Sequence, residues 1–79
     1  MNEEELYGTL KEFYDEYYFA KNKKEQSRIE SRVRSLVENI DDELYLELNE
    51  NVANGLFRGS FFESDLEHTL EVLKRKIKD

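Results

Sequence analysis

Leu6, Leu10, Phe13, Tyr17 and Ala20 recur at steps of four, three, four and three, the spacing that lays apolar side chains along one stripe of a helix. The stripe predicts a helix over residues 3–20 with that face turned to a core. Roughly 100° round the same helix, Tyr7, Tyr14 and Tyr18 form a second row, each residue with an apolar ring and a polar tip. Phe19 belongs to neither row. Six of the ten aromatic residues lie between Tyr7 and Phe19, so this helix supplies much of the expected buried area. The tyrosine row and Phe19 are also the first candidates for a docking surface, because Tyr is enriched at binding hot spots. Asn2 with Glu5 has the form of a capping box, and Glu3, Glu4 and Glu5 sit where the helix dipole favours anions. Gly8 falls inside the helix and projects away from the stripe.

Ile29, Val33, Leu36, Val37 and Ile40 make a second stripe. Carried on one straight helix it would lie roughly 160° from the first, so both stripes meet one core only if the chain breaks near Asn22 and folds back as an antiparallel hairpin. Asn22 with Glu25 supplies the cap, and the second helix is expected over 23–39. Lys24, Arg28 and Arg32 run along its flank as a solvated cationic face.

Asp41 reads as the next N-cap, with Ile40 and Tyr45 placed as a hydrophobic staple. Tyr45, Leu48, Val52 and Leu56 then follow helical spacing up to a stop at Asn54-Gly55, giving a third helix over 42–54. A rival reading exists. Leu44, Leu46 and Leu48 alternate with Tyr45 and Glu47, which is the period of a strand, and residues 56–62 are a ready antiparallel partner. The helix is preferred, since Glu, Leu and Asn are poor strand material and a lone hairpin is marginal.

Residues 56–62 are apolar without a period, so Phe57, Phe61 and Phe62 either plug the end of the core or meet a partner. Ser64 with Glu67 is a Ser-x-x-Glu capping box, and Leu66, Leu70, Leu73 and Ile77 define a fourth helix over 65–78 whose terminal cations complement its dipole. The predicted fold is therefore all-α, a small antiparallel bundle of three to four helices forming one domain over 1–79. The alternative is α+β, with a hairpin at about 43–62.

Composition narrows the function. A chain of 79 residues buries only about 60–65 % of its unfolded surface, so its core is small. Cysteine is absent, which removes disulfides and thiolate chemistry. With no apolar leader and no run approaching a membrane span, a soluble cytoplasmic protein is expected. The net charge of −7 disfavours direct binding to nucleic acid and favours a protein partner with a basic surface. That charge is unevenly spread: residues 21–37 hold six cations against two anions, and residues 38–50 hold six anions and no cation.

Each catalytic constellation lacks a component. His68, between Asp65 and Glu71 at i−3 and i+3, resembles half of a di-metal site, but it is the only histidine and lies outside the Leu66 stripe, so a surface histidine and no metal are expected. Ser27, Ser31 and Ser35 have no neighbouring base and Ser64 is assigned to capping. No phosphate loop or calcium loop is present, and neither an enzyme nor a cofactor is expected. A helix-turn-helix reader fails on charge, because the third helix carries Glu43, Glu47 and Glu50 where a recognition helix needs bases. Those same glutamates, at i, i+4 and i+7, form an acidic ridge with carboxylates on the order of 6 Å apart, comparable with phosphate spacing.

The expected function is stoichiometric protein binding without catalysis, as a small inhibitor, adaptor or immunity-type protein. Its candidate contacts are Tyr7, Tyr14, Tyr18, Phe19, Glu43, Glu47, Glu50, Phe57, Phe61 and Phe62. One alternative is a DNA mimic that uses the acidic ridge against a nucleic-acid-binding protein. Another is a homodimer closed by the aromatic face.

Overall fold

The computed structural model describes residues 2–50, 56–58 and 61–78. They form four helices: α1 (Glu3–Phe19), α2 (Lys23–Glu38), α3 (Asp42–Leu48) and α4 (Phe62–Lys78). The all-α architecture stands, and among the described residues there is no strand. None of the helices is long and apolar enough to cross a membrane.

The first two helices begin where their caps demand. Asn2 Oδ1 accepts the Glu5 N–H at 2.8 Å while Glu5 Oε1 accepts the Asn2 N–H at 3.4 Å, so the capping box is complete. Ala20 is extended, ending α1, and Asn22 Oδ1 takes the Glu25 N–H at 2.9 Å to start α2. Glu25 reaches one residue further back than the predicted box, to the Lys21 N–H at 3.3 Å. Leu6 and Leu10 of α1 and Ile29, Val33 and Val37 of α2 are buried against each other's side of the hairpin.

Residues 43–48 lie in α3, and the hairpin alternative is overturned by the period of burial: Leu44 and Leu48, four apart, are buried, whereas Leu46 between them is 68 % exposed. Asp41 commits the chain to the helix by accepting the Leu44 N–H at 3.4 Å. Leu44 joins Leu48 on the core face, and Tyr45, expected there, is half-buried at its edge. The helix is shorter than the predicted 42–54. It ends at Leu48, and Asn49 Oδ1 takes the N–H of Leu56 at 2.6 Å, so the side chain after the helix is engaged with returning chain. The predicted stop at Asn54-Gly55 and the core position at Val52 lie outside the described residues.

In α4 the start falls three residues before the predicted one, at Phe62. Phe61 occupies the cap position, its carbonyl accepting the Asp65 N–H at 3.0 Å. Ser64 is therefore inside the first turn, and the Ser64–Glu67 capping box does not form. Two carboxylates near this start are taken elsewhere: Asp65 Oδ2 accepts the Phe57 N–H at 3.1 Å, and Glu67 Oε1 accepts the Tyr14 hydroxyl at 2.9 Å.

Helices α1 and α4 pack antiparallel. Tyr17 meets Phe62 at one end, with ring centroids 4.9 Å apart, and Lys76 lies 3.8 Å from Glu3 at the other, where it also binds Glu47 of α3. Leu56 and Phe57 plug the core between α2 and α4, completing the apolar cluster with Leu66 and Leu73.

Candidate docking surface

Antiparallel packing brings the end of α1, the beginning of α2 and the beginning of α4 to one end of the bundle. Of the large apolar side chains exposed among the described residues, three stand at that end: Tyr18 (67 % exposed), Phe19 (74 %) and Phe61 (73 %). The fourth, Leu46, lies on α3 at the opposite end. Tyr18 and Phe19 meet edge to face with centroids 5.2 Å apart, so the two rings present one outward surface.

The remaining aromatic candidates divide by burial. Phe57 is 1 % and Phe62 4 % exposed, so these two are core residues and a partner meets them only through what covers them. Among the described residues of segment 56–62, Leu56, Phe57 and Phe62 plug the core and Phe61 faces out. The tyrosine row is not uniform either. Tyr7 is half-buried against the core, Tyr14 is half-buried with its hydroxyl on Glu67, and of the three only Tyr18 is exposed.

Beside Phe61 is an open cleft of about 450 Å³ walled by Tyr17, Phe61 and Phe62 and rimmed by Glu30, Glu63 and Glu67. Two neighbouring phenols titrate above their ordinary value. The Tyr14 hydroxyl titrates above its ordinary value chiefly because it donates to Glu67, with desolvation and the charges of Glu67 and Glu63 adding to the effect. Tyr17 is raised first by burial and then by Glu30 and Glu63. Sequence reasoning did not mark Glu63 or Glu67 as site residues, because it began the helix at residue 65. The available signal was their i, i+4 spacing beside Phe61 and Phe62.

A smaller cleft of about 340 Å³ runs between α1 and α2, where Phe19 and Ala20 face Arg28 and Arg32. Lys24, Arg28 and Arg32 are exposed and make no ion pair among the described residues. The aromatic end therefore has an acidic side on α4 and a basic side on α2.

Glu43 and Glu47 are exposed on α3, but the three-carboxylate ridge is not continuous on that helix. Glu50 follows the helix end, and Glu47 holds the ammonium group of Lys76. His68 departs from the expected surface position: it is half-buried, and its Nε2 is buried with no hydrogen-bond partner among the described residues. Asp65, the carboxylate three residues before it, is engaged with the Phe57 backbone. Among the described residues no three His, Asp or Glu side chains gather as metal ligands. Compared with known proteins, the chain matches no family model, no curated protein and no solved structure.

Proposed function

We propose that the protein is a non-catalytic binding module that docks on a protein partner through the end of the bundle bearing Tyr18, Phe19 and Phe61. The observation that carries this reading is that three of the four large apolar side chains exposed among the described residues, Tyr18, Phe19 and Phe61, stand at one end of the bundle. Scattered single apolar side chains are ordinary on a protein surface, whereas clustered aromatic ones mark interfaces, where rigid rings bury much area at small entropic cost. The net charge of −7 and the carboxylates beside Phe61 favour a partner with basic groups at the contact. An inhibitor or adaptor role fits such a surface, since it needs no chemistry of its own. The DNA-mimic reading draws less support, because Lys76 compensates the central carboxylate of its ridge.

The test is affinity capture from the native host with the wild type and an F19S/F61S double variant. Serine is a good residue at the cap position of Phe61, so α4 keeps its start, and circular dichroism verifies the fold. A partner held by the wild type and lost by the variant supports the reading. A partner retained by F19S/F61S and lost when Glu43 and Glu50 are reversed to Lys would move the site to the acidic side of α3.

A further inference from the structure

The cleft beside Phe61 has one-sided chemistry. Its walls are aromatic, its rim carries Glu30, Glu63 and Glu67, and no cation is among its lining residues. Tyr14 is raised chiefly by its hydrogen bond to Glu67 and Tyr17 chiefly by burial, and the charge of Glu63 adds to both. Behind the cleft, Arg34 already uses the same surroundings: its guanidinium carbon lies 6.0 Å from the Phe62 ring centroid and its Nη2 3.5 Å from Glu30. Arg34 meets Glu30 and Tyr14 meets Glu67, whereas Glu63, exposed at the cleft mouth, makes no ion pair among the described residues.

We propose that this cleft receives an arginine side chain presented by an apolar segment of a protein partner. This rests on the docking reading above and names the chemistry of the contact. A guanidinium stacks its face on an aromatic ring while its edge forks to carboxylates, and it is less strongly hydrated than an ammonium group, so the combination of Phe61 with Glu63 and Glu67 suits arginine better than lysine. The occupant is part of a protein, because Phe61, Tyr18 and Phe19 at the same end require apolar cover that a small free cation does not bring.

The experiment titrates the ¹⁵N-labelled protein with two blocked peptides, acetyl-Leu-Arg-Leu-amide and its citrulline counterpart, which keeps the shape and loses the charge, and with spermidine. The arginine peptide is expected to move the amide signals of Tyr17, Phe61, Glu63 and Glu67, and the citrulline peptide to bind about tenfold more weakly. E63Q, at an exposed position, weakens the arginine peptide severalfold while E43Q leaves it unchanged. Equal binding of the two peptides, shifts at Glu43 as large as those at Glu63, or the same pattern from spermidine at the same concentration would each overturn the proposal. Its fate separates from that of the docking reading. If the arginine peptide shows no preference while F19S/F61S still loses the captured partner, the arginine site falls and docking stands. If the peptide binds as expected and capture is unaffected, docking through this end falls alone.

Discussion

Arg34 donates through Nε to the carbonyl oxygen of Phe57 across 2.8 Å, tying α2 to a residue whose φ is +62°. That left-handed conformation is disfavoured for a side chain as large as phenylalanine by about 1–2 kcal/mol. Three contacts hold it: Arg34 at the carbonyl, the Asp65 carboxylate at the N–H, and the buried ring against Phe62 with centroids 5.3 Å apart.

The first prediction concerns this clasp. F57A removes a buried ring and costs about 3–5 kcal/mol in urea unfolding. R34A and D65A each leave a backbone group of Phe57 without its partner and cost about 1–3 kcal/mol. Because both act on one residue, the double variant loses less than the sum. An R34A protein with wild-type stability would show that the clasp is incidental.

A second prediction separates the period of α3 from that of a strand. L48A creates a cavity at a fully buried position and costs about 2–5 kcal/mol, while L46A, at a side chain two-thirds exposed, stays within about 0.5 kcal/mol. In a strand Leu44, Leu46 and Leu48 would share one face and respond alike. Thermal or urea unfolding of the two variants makes the comparison.

These two regions also mark where sequence reasoning reached its limit. Helices α1 and α2 came out within one residue of their predicted ends, because Asn2, Asn22 and the two apolar stripes are local signals. The end of α3 and the start of α4 are set by bonds that a local pattern does not contain. Asn49 reaches Leu56, Asp65 reaches Phe57, and Glu67 reaches Tyr14 on the first helix. The Ser64–Glu67 spacing is a sound local cap whose acidic partner was recruited from a distance. For the site, helical period left Phe19 on neither row of α1, and the structure exposes it. Phe62, four residues before Leu66, continues the buried face of α4, a period hidden by starting that helix at residue 65, whereas Phe57 lies outside any helix and is held by Arg34 and Asp65 from distant positions.

The third prediction is stabilising. Gly8 lies in the interior of α1, is exposed, and a Cβ built there meets no atom within 4 Å. G8A therefore adds helix propensity without a clash and raises stability by about 1 kcal/mol in urea unfolding. No gain, or a loss, would show that helix propensity does not limit stability at this position.

The fourth prediction follows from groups titrating at high pH. Tyr14 is raised from its ordinary 10.0, chiefly by its bond to Glu67, and Lys76 from its ordinary 10.5, chiefly by its bond to Glu47. Tyr17 is raised in the same direction, chiefly by burial. A group whose pKa is higher folded than unfolded adds stability that is whole below the unfolded value and disappears as the pH climbs through the folded one. These three contributions are thus complete at neutral pH and fade above about pH 10. Stability measured by urea unfolding should lose these contributions only as the pH rises through about 10 and above. In E67Q the charge on Tyr14's acceptor is gone, so the Tyr14 signal, followed by NMR, titrates nearer its ordinary value. Combining E67Q with K76M removes two of the three shifted groups from the balance and shrinks the fall, while Tyr17 leaves a remainder. An undiminished fall in the double variant would place the alkaline sensitivity in other groups and detach it from the Tyr14–Glu67 and Lys76–Glu47 pairs.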